Sequence, residues 1–361
     1  MKVVIIGGVA GGATAAARIR RLDERAEIIM LERTGYVSYA NCGLPYYVGG
    51  EIEDEEELTL QTPASFFARY RVDVRVLSEA LAIDRKNKTV TVKNLKTGET
   101  YEETYDKLLL SPGARAVIPP AARVKDSRVF TLRTVEDTLA IHACVEKTSP
   151  KDAVVVGGGF IGLETAENLM RKGVRVTLIQ LDSQVMPPFD PDMAALLHNE
   201  LRARGVQLHL SESCTAIESG ERLTVRTDKG IYAADLAVIA VGVAPDTQLA
   251  KDAGLALGVK GSIAVDEYMR TSDEDIYAVG DAVEVRQFVT GEKTLIALAG
   301  PANKQGRIAA DNICGGNSAY KGSQGSSVVR VFSLTAASTG INEKTARALG
   351  LDYDKVVLSP N

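Results

Sequence analysis

Short runs of mostly apolar residues recur along the chain and predict the strands of parallel sheets. Each run ends at a glycine or at a polar residue. Strands covered by helices on both faces have this character, because neither face of such a strand meets water. The clearest runs are residues 2–6, 26–31, 108–110, 153–156, 174–181 and 236–241.

Amphipathic segments between these runs predict helices. The predicted helices are residues 11–22, 135–147, 161–172 and 190–204. Strands that alternate with helices favour an α/β fold built on parallel sheets. Two strand–helix–strand units, at residues 2–31 and 153–181, indicate two related nucleotide-binding folds in tandem.

A glycine-rich turn joins strand to helix in each unit. Residues 7–12 read Gly-Gly-Val-Ala-Gly-Gly, and residues 157–162 read Gly-Gly-Gly-Phe-Ile-Gly, a complete G-x-G-x-x-G. Glycines let the backbone approach a pyrophosphate, and the helix N-terminus stabilises its charge. Val9 replaces the second fingerprint glycine of the first loop, so a tight turn without a ligand is the alternative there.

The residue at the end of the second strand differs between the two units. Glu32 follows the first unit's strand, about 20 residues beyond the last glycine, where a carboxylate accepts hydrogen bonds from a ribose. Gln180 takes this place in the second unit, and Asp182 follows two residues later.

Cys42 lies between the two loops, in the stretch Ser-Tyr-Ala-Asn-Cys-Gly-Leu-Pro-Tyr-Tyr at 38–47. A lone cysteine is usually a small buried hydrophobe. A thiolate beside a flavin, however, can exchange electrons with it and can attack a disulfide. The two nucleotide loops favour this redox role over the structural one.

Composition excludes several classes of function. A net charge of −5 and a pI near 5.5 argue against nucleic acid as the main partner. No apolar run approaches the roughly 20 residues of a membrane span, so no membrane partner is expected. The four cysteines are scattered and form no C-x-x-C, which predicts no metal site and favours a reducing, cytoplasmic location.

Five motifs together resemble those of the single-cysteine pyridine nucleotide–disulfide oxidoreductases. The chain is most similar to the coenzyme A disulfide reductases and NADH-dependent CoA-persulfide reductases of that family, with NADH oxidases and peroxidases as near relatives. The motifs are residues 6–13, 36–47, 155–164, 276–282 and 299–307.

The resemblance implies two nucleotide cofactors, FAD and NAD(P)H. The residues that it implies for the adenosine half of FAD are Gly7, Gly12 and Glu32, with Asp281 and Ala302 along the ribityl chain and the flavin. The residues that it implies for the nicotinamide site are Gly157, Gly159, Gly162 and Glu164, and Gln180 is placed at the ribose end of that nucleotide.

The resemblance also implies the substrate and the reaction. Cys42 is expected beside the flavin, and Arg21, Ser38 and Asn41 are expected to bind CoA, with Arg69 or Arg71 as looser candidates for phosphate contacts. The expected reaction is reduction of CoA disulfide or CoA persulfide through a mixed disulfide between Cys42 and CoA. The alternatives are an NADH oxidase or peroxidase that cycles Cys42 through sulfenic acid, a flavoprotein sensor or electron donor without turnover of its own, and an inert fragment.

Residues 181–188, which follow Gln180, bear on the choice of nicotinamide cofactor. They contain no Lys or Arg, and Asp182 is their only charged residue. A cation near the ribose normally selects NADPH, whereas a carboxylate repels its extra phosphate. The sequence therefore predicts a modest preference for NADH, with NADPH as a possible second donor.

The expected fold is α/β, with two doubly wound Rossmann-like nucleotide-binding domains followed by the start of an α+β dimerisation domain. The expected domains are residues 1–115 with 251–325 for FAD, 116–250 for NAD(P)H and 326–361 for a partial dimerisation domain. Members of the family continue through a complete dimerisation domain. The chain is therefore expected to be truncated, with a homodimer as the full-length form.

Overall fold

A computed structural model describes residues 1–358. The first part of the chain, residues 1–116, begins with a strand–helix–strand unit. The elements of residues 1–116 are β1 (Lys2–Ile6), α1 (Ala10–Leu22), β2 (Glu27–Leu31), α2 (Leu44–Val48), α3 (Pro63–Tyr70), β3 (Asp73–Arg75), β4 (Ser78–Asp84), β5 (Thr89–Asn94), β6 (Thr100–Thr104), β7 (Lys107–Leu110) and β8 (Ala114–Ala116). Side chains such as Ile5 and Leu109 are fully buried. Each such burial stabilises the fold by roughly 1.5–3 kcal/mol relative to leaving the side chain exposed.

Residues 117–245 repeat this pattern. Their elements are β9 (Val129–Phe130), α4 (Val135–Thr148), β10 (Asp152–Val156), α5 (Phe160–Arg171), β11 (Arg175–Gln180), α6 (Pro191–Ala203), β12 (Gln207–Leu210), β13 (Cys214–Glu218), β14 (Leu223–Thr227), β15 (Ile231–Ala234), β16 (Leu236–Ile239) and β17 (Val243–Pro245).

The remaining described residues first add a strand and a helix to the first unit and then form a hairpin that packs against the second. Their elements are α7 (Gln248–Asp252), β18 (Ile276–Ala278), β19 (Val285–Arg286), β20 (Lys293–Thr294), α8 (Ala299–Ile313), β21 (Ser327–Val331), β22 (Leu334–Ser338) and α9 (Glu343–Ala348). None of the helices in residues 1–358 is long and apolar enough to cross a membrane.

Two five-stranded parallel sheets organise the molecule. Their strand orders are β18-β7-β1-β2-β3 and β12-β11-β10-β16-β9. In each sheet the central strand leads into a glycine loop, and its end lies level with the ends of both neighbouring strands. The loops that follow these ends therefore meet at one edge of the sheet, which is where open α/β sheets bind ligands.

Each unit also carries a three-stranded antiparallel sheet, β4-β5-β6 in the first and β13-β14-β15 in the second. In both units this sheet is inserted between the third parallel strand and the return to the central sheet. The repetition of the whole arrangement confirms the predicted α/β fold with two doubly wound halves.

Helix α8 packs along α1 and completes the first unit. A Cβ atom at Gly306 would lie 2.4 Å from the carbonyl oxygen of Gly11, so only a residue without a side chain allows this approach. The hydroxyl of Thr14 donates a hydrogen bond to Oδ1 of Asn303 across the same contact, at 2.7 Å. Two helices that lie far apart in the sequence therefore pack as one pair.

The hairpin β21–β22 packs against the second unit. Val329 and Val331 are buried in the core that also contains Leu163 of α5. The carboxylate of Glu167, itself buried, accepts a hydrogen bond from the backbone N–H of Phe332 at 2.7 Å. The hairpin is therefore anchored on the helix that follows the second glycine loop.

The predicted strands and helices agree with the structure to within a few residues. The sequence gives weaker signals for the antiparallel strands β6, β13 and β15, which were not predicted as strands. Cys214 opens β13. These strands are short and partly exposed, so they lack the apolar runs of the central sheets.

Candidate active site

The first glycine loop depends on two close backbone approaches. Gly7 has a φ of +100°, and a Cβ atom there would lie 2.0 Å from the carbonyl oxygen of Ser111. A Cβ atom at Gly12 would lie 1.9 Å from the carbonyl oxygen of Gly7. Val9, by contrast, has a φ of −104°, which any residue adopts. The geometry thus explains why the second fingerprint position accepts valine, whereas positions 7 and 12 require glycine.

Glu32 is bound to this loop through its carboxylate. Its Oε2 accepts a hydrogen bond from the N–H of Gly8 at 2.9 Å. Its Oε1 accepts from both the N–H and the hydroxyl of Thr34, each at 2.9 Å. Carboxylate oxygens have several acceptor positions, so the buried Glu32 keeps capacity for a ligand hydroxyl while it fixes the loop.

One cavity joins several of the residues predicted to bind the first nucleotide. Its volume is about 610 Å³, which is within the usual range for ligand sites. The predicted residues that line it are Gly7, Glu32, Asn41, Cys42, Asp281 and Ala302. Three predicted residues do not line it: Gly12, Ser38 and Arg21. Gly12 packs against the carbonyl oxygen of Gly7, and Arg21 lies exposed on the last turn of α1.

Asp281 lines the cavity from the turn that follows β18. A guanidinium nitrogen of Arg133 lies 3.3 Å from its Oδ2. Burial raises the pKa of Asp281, and the charge of Arg133 opposes that rise. Gln305 Oε1 accepts a hydrogen bond from the N–H of Gly280 at 2.7 Å, which fixes the turn that carries Asp281. Arg133 was not singled out from the sequence, because nothing in its local pattern marks it.

Cys42 lies on a short 3-10 turn, Asn41–Gly43, that leads directly into α2. Its thiol is exposed and lines the cavity. Leu44 and Val48 bury the opposite face of α2, and this holds the turn in place. Partial desolvation of the thiol by its neighbours and the nearby carboxylate of Glu164 both raise the pKa of Cys42.

Helix α2 abuts α5 of the second unit. A Cβ atom at Gly49 would lie 2.1 Å from Oδ1 of Asn168, so the two helices touch there. The Tyr46 hydroxyl donates to Oε1 of Glu164 at 3.4 Å. Burial raises the pKa of Glu164 to about 7, so its charge changes near neutrality. Tyr46 belongs to the motif at 36–47, and no separate role was predicted for it.

The second glycine loop reproduces the first. Gly157 has a φ of +112°, and a Cβ atom there would lie 2.3 Å from the carbonyl oxygen of Ala240. A Cβ atom at Gly162 would lie 1.9 Å from the carbonyl oxygen of Gly157, whereas one at Gly159 would meet open space. Gln180 takes the place of Glu32, and its Oε1 accepts from the N–H of Gly158 at 2.7 Å.

A basic groove lies on the outer side of the α1–α8 pair. Its cavity has a volume of about 450 Å³. Four cationic side chains line it: Arg18, Lys304, Arg307 and Lys321. Arg18 is paired with Asp311 at 2.8 Å. Sequence reasoning did not select these residues, although two of them belong to the motif at 299–307.

The looser phosphate candidates lie elsewhere. Arg69 and Arg71 are exposed at the end of α3. Ser38 is tied to the first loop, because its N–H donates to the carbonyl oxygen of Gly8 at 2.8 Å and its own φ is +49°.

Comparison with known proteins decides the family. The chain matches the pyridine nucleotide-disulphide oxidoreductases over residues 1–306. The chain belongs to that family. A coenzyme A disulfide reductase of Staphylococcus epidermidis is 35% identical over 98% of this chain and 80% of its own length. An NADH oxidase of Methanocaldococcus jannaschii is 35% identical over 96% of this chain and 77% of its own length.

Two solved structures of the oxidoreductase family have nearly the same fold. Reduced CoADR-RHD of Bacillus anthracis has a TM-score of 0.94 and 48% identity over 98% of this chain. The NAD-dependent persulfide reductase of A. fulgidus has a TM-score of 0.94 and 41% identity over 98% of this chain. The chain spans 64% and 66% of the lengths of these two proteins.

Membership of this oxidoreductase family implies a flavin and NAD(P)H, and the residues fit both. The cavity extends from the glycine loop at Gly7, past Glu32, to Asp281 and Cys42. A dinucleotide needs this sequence of surroundings: a close backbone at the pyrophosphate, a carboxylate at each sugar, and room for the ring. At the second loop, the open space beside Gly159 leaves the same access to a pyrophosphate.

Proposed function

We propose that this chain reduces CoA disulfide or CoA persulfide with NADH, through FAD and the single cysteine Cys42. The observation that carries the proposal is the position of Cys42. Its exposed thiol lines the cavity of the first glycine loop, and α2, which follows its turn, packs against α5 of the second loop. A sulfur in that cavity can meet both a flavin bound there and an external disulfide.

The substrate class is supported by chemistry as well as by relatives. The relatives named above include a coenzyme A disulfide reductase and a persulfide reductase. The basic groove on α1 and α8 offers Lys304, Arg307 and Lys321 to the phosphates of CoA, beside the ion pair of Arg18 with Asp311. Arg21 is exposed on the same helix as Arg18, and Asn41 lies beside Cys42. We infer that CoA extends from Asn41 along α1 to this groove.

In the proposed first step, the Cys42 thiolate attacks one sulfur of the CoA disulfide. The substrate S–S bond breaks, a mixed disulfide forms between Cys42 and CoA, and the second CoA leaves as a thiolate that takes up a proton. No second protein cysteine is needed, because the substrate sulfur completes the pair.

In the proposed second step, the mixed disulfide takes up two electrons, which frees CoA and restores the Cys42 thiolate. When bound, FAD supplies the two-electron relay between NADH and this disulfide. The overall balance is one NADH, one proton and one CoA disulfide converted to NAD⁺ and two CoA thiols. We infer that Glu164, whose pKa burial raises to about 7, supplies the proton that the departing thiolate takes up.

The protein residues of the FAD site have distinct proposed roles. Gly7 and Gly12 shape the loop that approaches the pyrophosphate, and Glu32 accepts from the adenosine ribose. Asp281, held at its position by Arg133, accepts from the ribityl hydroxyls, and Ala302 closes the wall of the cavity. At the second loop, Gly157, Gly159, Gly162 and Glu164 border the nicotinamide nucleotide.

Turnover with alternative acceptors tests the proposal. NADH oxidation is followed separately with CoA disulfide, CoA persulfide, hydrogen peroxide and oxygen, and the proposal predicts the highest catalytic efficiency with one of the two CoA substrates. A protein that binds both nucleotides but reduces neither CoA substrate would contradict it.

An NADH oxidase is the second candidate function. It is supported by the similarity to the M. jannaschii NADH oxidase and by the exposure of the Cys42 sulfur, which suits oxidation to sulfenic acid. Oxygen consumption that exceeds CoA disulfide reduction in the same assay would favour this function.

We also propose a domain assignment. Residues 1–115 and 251–325 form the FAD domain, and β18 supports this because it returns to pair with β7 of the first sheet. Residues 116–250 form the NAD(P)H domain and residues 326–361 belong to an interface domain, of which the last three residues lie outside the described part. We infer that the protein forms a homodimer through this domain; the exposed side chains of Val356 and Leu358 are the kind of surface that a second copy covers.

A further inference from the structure

The side chain of Gln180 is engaged at both of its polar ends. It is only 7% exposed. Its Oε1 accepts from the N–H of Gly158 at 2.7 Å, and its Nε2 donates to Oδ2 of Asp182 at 3.2 Å. Burial and these two hydrogen bonds fix the amide in one orientation, and a neutral amide has no charge with which to repel a phosphate. Gln180 is therefore placed as a support between the glycine loop and Asp182.

The first unit contains a corresponding pair, Glu32 and Thr34, in which hydrogen-bond donor and acceptor are exchanged. There the acid is at the end of the strand, and Glu32 accepts from the loop through one oxygen and from Thr34 through the other. Thr34 lies two residues beyond Glu32, just as Asp182 lies two residues beyond Gln180. In the second unit the residue at the strand end is the donor and the residue two positions later is the acceptor. The carboxylate has moved from the first member of the pair to the second.

The surroundings of Asp182 leave its carboxylate available. The residue is exposed, and its backbone is fixed because its carbonyl oxygen accepts from the N–H of Ser211 at 2.9 Å. Within residues 1–358, the bond from Gln180 is the one side-chain hydrogen bond that reaches its carboxylate. Its second oxygen remains free to accept from the hydroxyls of a ligand sugar.

We propose that Asp182, oriented by Gln180, is the group that receives the adenosine ribose of NADH and disfavours NADPH. This inference rests on the proposed function, since it concerns the nicotinamide nucleotide of the same reaction. Gln180 is a positioning residue in this account, and Asp182 determines specificity. A carboxylate accepts from the ribose hydroxyls, and it repels the phosphate that NADPH carries in place of one of them.

One cation approaches the same loop from the far end of the chain. The ammonium group of Lys344 donates to the carbonyl oxygen of Pro187 at 2.8 Å. The backbone N–H of Lys344 donates to Asp190, which fixes this contact from a second side. If this ammonium group met the extra phosphate, it would favour NADPH. Lys344 therefore has to be tested beside Asp182.

The pair in the first unit supplies the design of the test. Asp182→Thr removes the carboxylate, and the double variant Gln180→Glu with Asp182→Thr recreates the arrangement of Glu32 and Thr34. Glu221→Gln is the matched control, because it removes one negative charge from an exposed residue of the same unit. Dissociation constants for NAD⁺ and NADP⁺ are measured by titration calorimetry, and steady-state efficiencies with NADH and NADPH are measured alongside.

The expected result is a change in the ratio of the two dissociation constants. Asp182→Thr should shift the ratio about tenfold toward NADP⁺, since a lost hydrogen bond to a charged group is worth about a factor of ten. The double variant should return the ratio to within about threefold of the wild type. Glu221→Gln should leave it unchanged.

Three outcomes would overturn the inference. An unchanged ratio in Asp182→Thr removes Asp182 from the site. A shift that the double variant does not reverse removes the relation between Gln180 and Asp182. If the ratio of dissociation constants changes in Lys344→Ala but not in Asp182→Thr, then Lys344 and not Asp182 determines the preference between the two nucleotides. These results would leave the disulfide reductase proposal intact, whereas a wild-type protein that binds neither nucleotide would overturn both.

Discussion

The hydroxyl of Tyr46 lies 3.4 Å from the carboxylate of Glu164, and this contact joins the redox segment to the second nucleotide loop. Tyr46 is four residues beyond Cys42 on α2, and Glu164 is two residues beyond Gly162 on α5. Burial raises the pKa of Tyr46 to about 12, and Glu164 adds to that rise, so the phenol stays protonated as a donor. Above neutrality, the negative charge of Glu164 also raises the pKa of the Cys42 thiol.

Glu164→Gln should make Cys42 more reactive. Burial and the Glu164 carboxylate both raise the pKa of the thiol, so removal of the carboxylate lowers that pKa and increases the thiolate fraction near neutral pH. Below the thiol pKa, the alkylation rate of the variant with iodoacetamide should rise about tenfold per pH unit. The wild-type rate should rise less steeply around pH 7, where Glu164 becomes charged, so the variant curve should lie to the acidic side of the wild-type curve. The two curves should converge well below pH 7, where Glu164 is already neutral, and coincidence over the whole range would contradict the coupling.

Cys42→Ser should keep the flavin and lose disulfide reduction. The thiol lines the cavity but supports no part of the loop, so binding of FAD, measured by the visible absorbance of the purified protein, should be unchanged. Cys144→Ser is the control, because Cys144 lies on α4 outside that cavity. NADH-dependent CoA disulfide turnover that persists in Cys42→Ser would exclude the proposed chemistry.

Removal of two cations from the basic groove should weaken CoA binding. Lys304 and Arg307 are exposed on α8 and line the groove. The double alanine variant should raise KM for CoA disulfide about three- to tenfold with kcat nearly unchanged, and higher salt should reduce the difference. Lys229→Ala, at an exposed site in the second unit, should have no such effect. An unchanged KM would place the phosphates of CoA elsewhere.

Two glycines of the second loop should respond differently to alanine. At Gly162 a Cβ atom would lie 1.9 Å from a backbone oxygen, so Gly162→Ala should cost roughly 1–3 kcal/mol of stability in thermal or denaturant unfolding. At Gly159 the same atom meets open space and φ is −83°, so Gly159→Ala should fold normally. Since that space is the proposed pyrophosphate site, Gly159→Ala should still weaken NADH binding. Equal stability losses in both variants would contradict this distinction.

Local sequence patterns were sufficient for the central sheets and both glycine loops. The apolar runs of β1 and β10 and the glycines at 7 and 157 are each encoded within a few residues, and their geometry is dictated by backbone sterics. The same is true of Glu32, whose distance from the loop follows from one β-α-β unit.

Relationships between distant residues were not predictable from such patterns. Tyr46 and Glu164 are 118 residues apart, and their contact depends on how α2 packs against α5. Arg133 reaches Asp281 from another part of the chain for the same reason. Gln180 illustrates a second limit: its position was predicted, but the direction of its amide depends on the side chain of Asp182 and on the N–H of Gly158.

The most direct test of the central claim is the intact mass of the protein under denaturing, non-reducing conditions after exposure to an equimolar amount of CoA disulfide. The account predicts a single adduct of the mass of CoA on Cys42, which is removed by dithiothreitol, absent in Cys42→Ser and retained in Cys144→Ser. A wild-type protein that turns over CoA disulfide without ever carrying that adduct would contradict the mixed-disulfide mechanism.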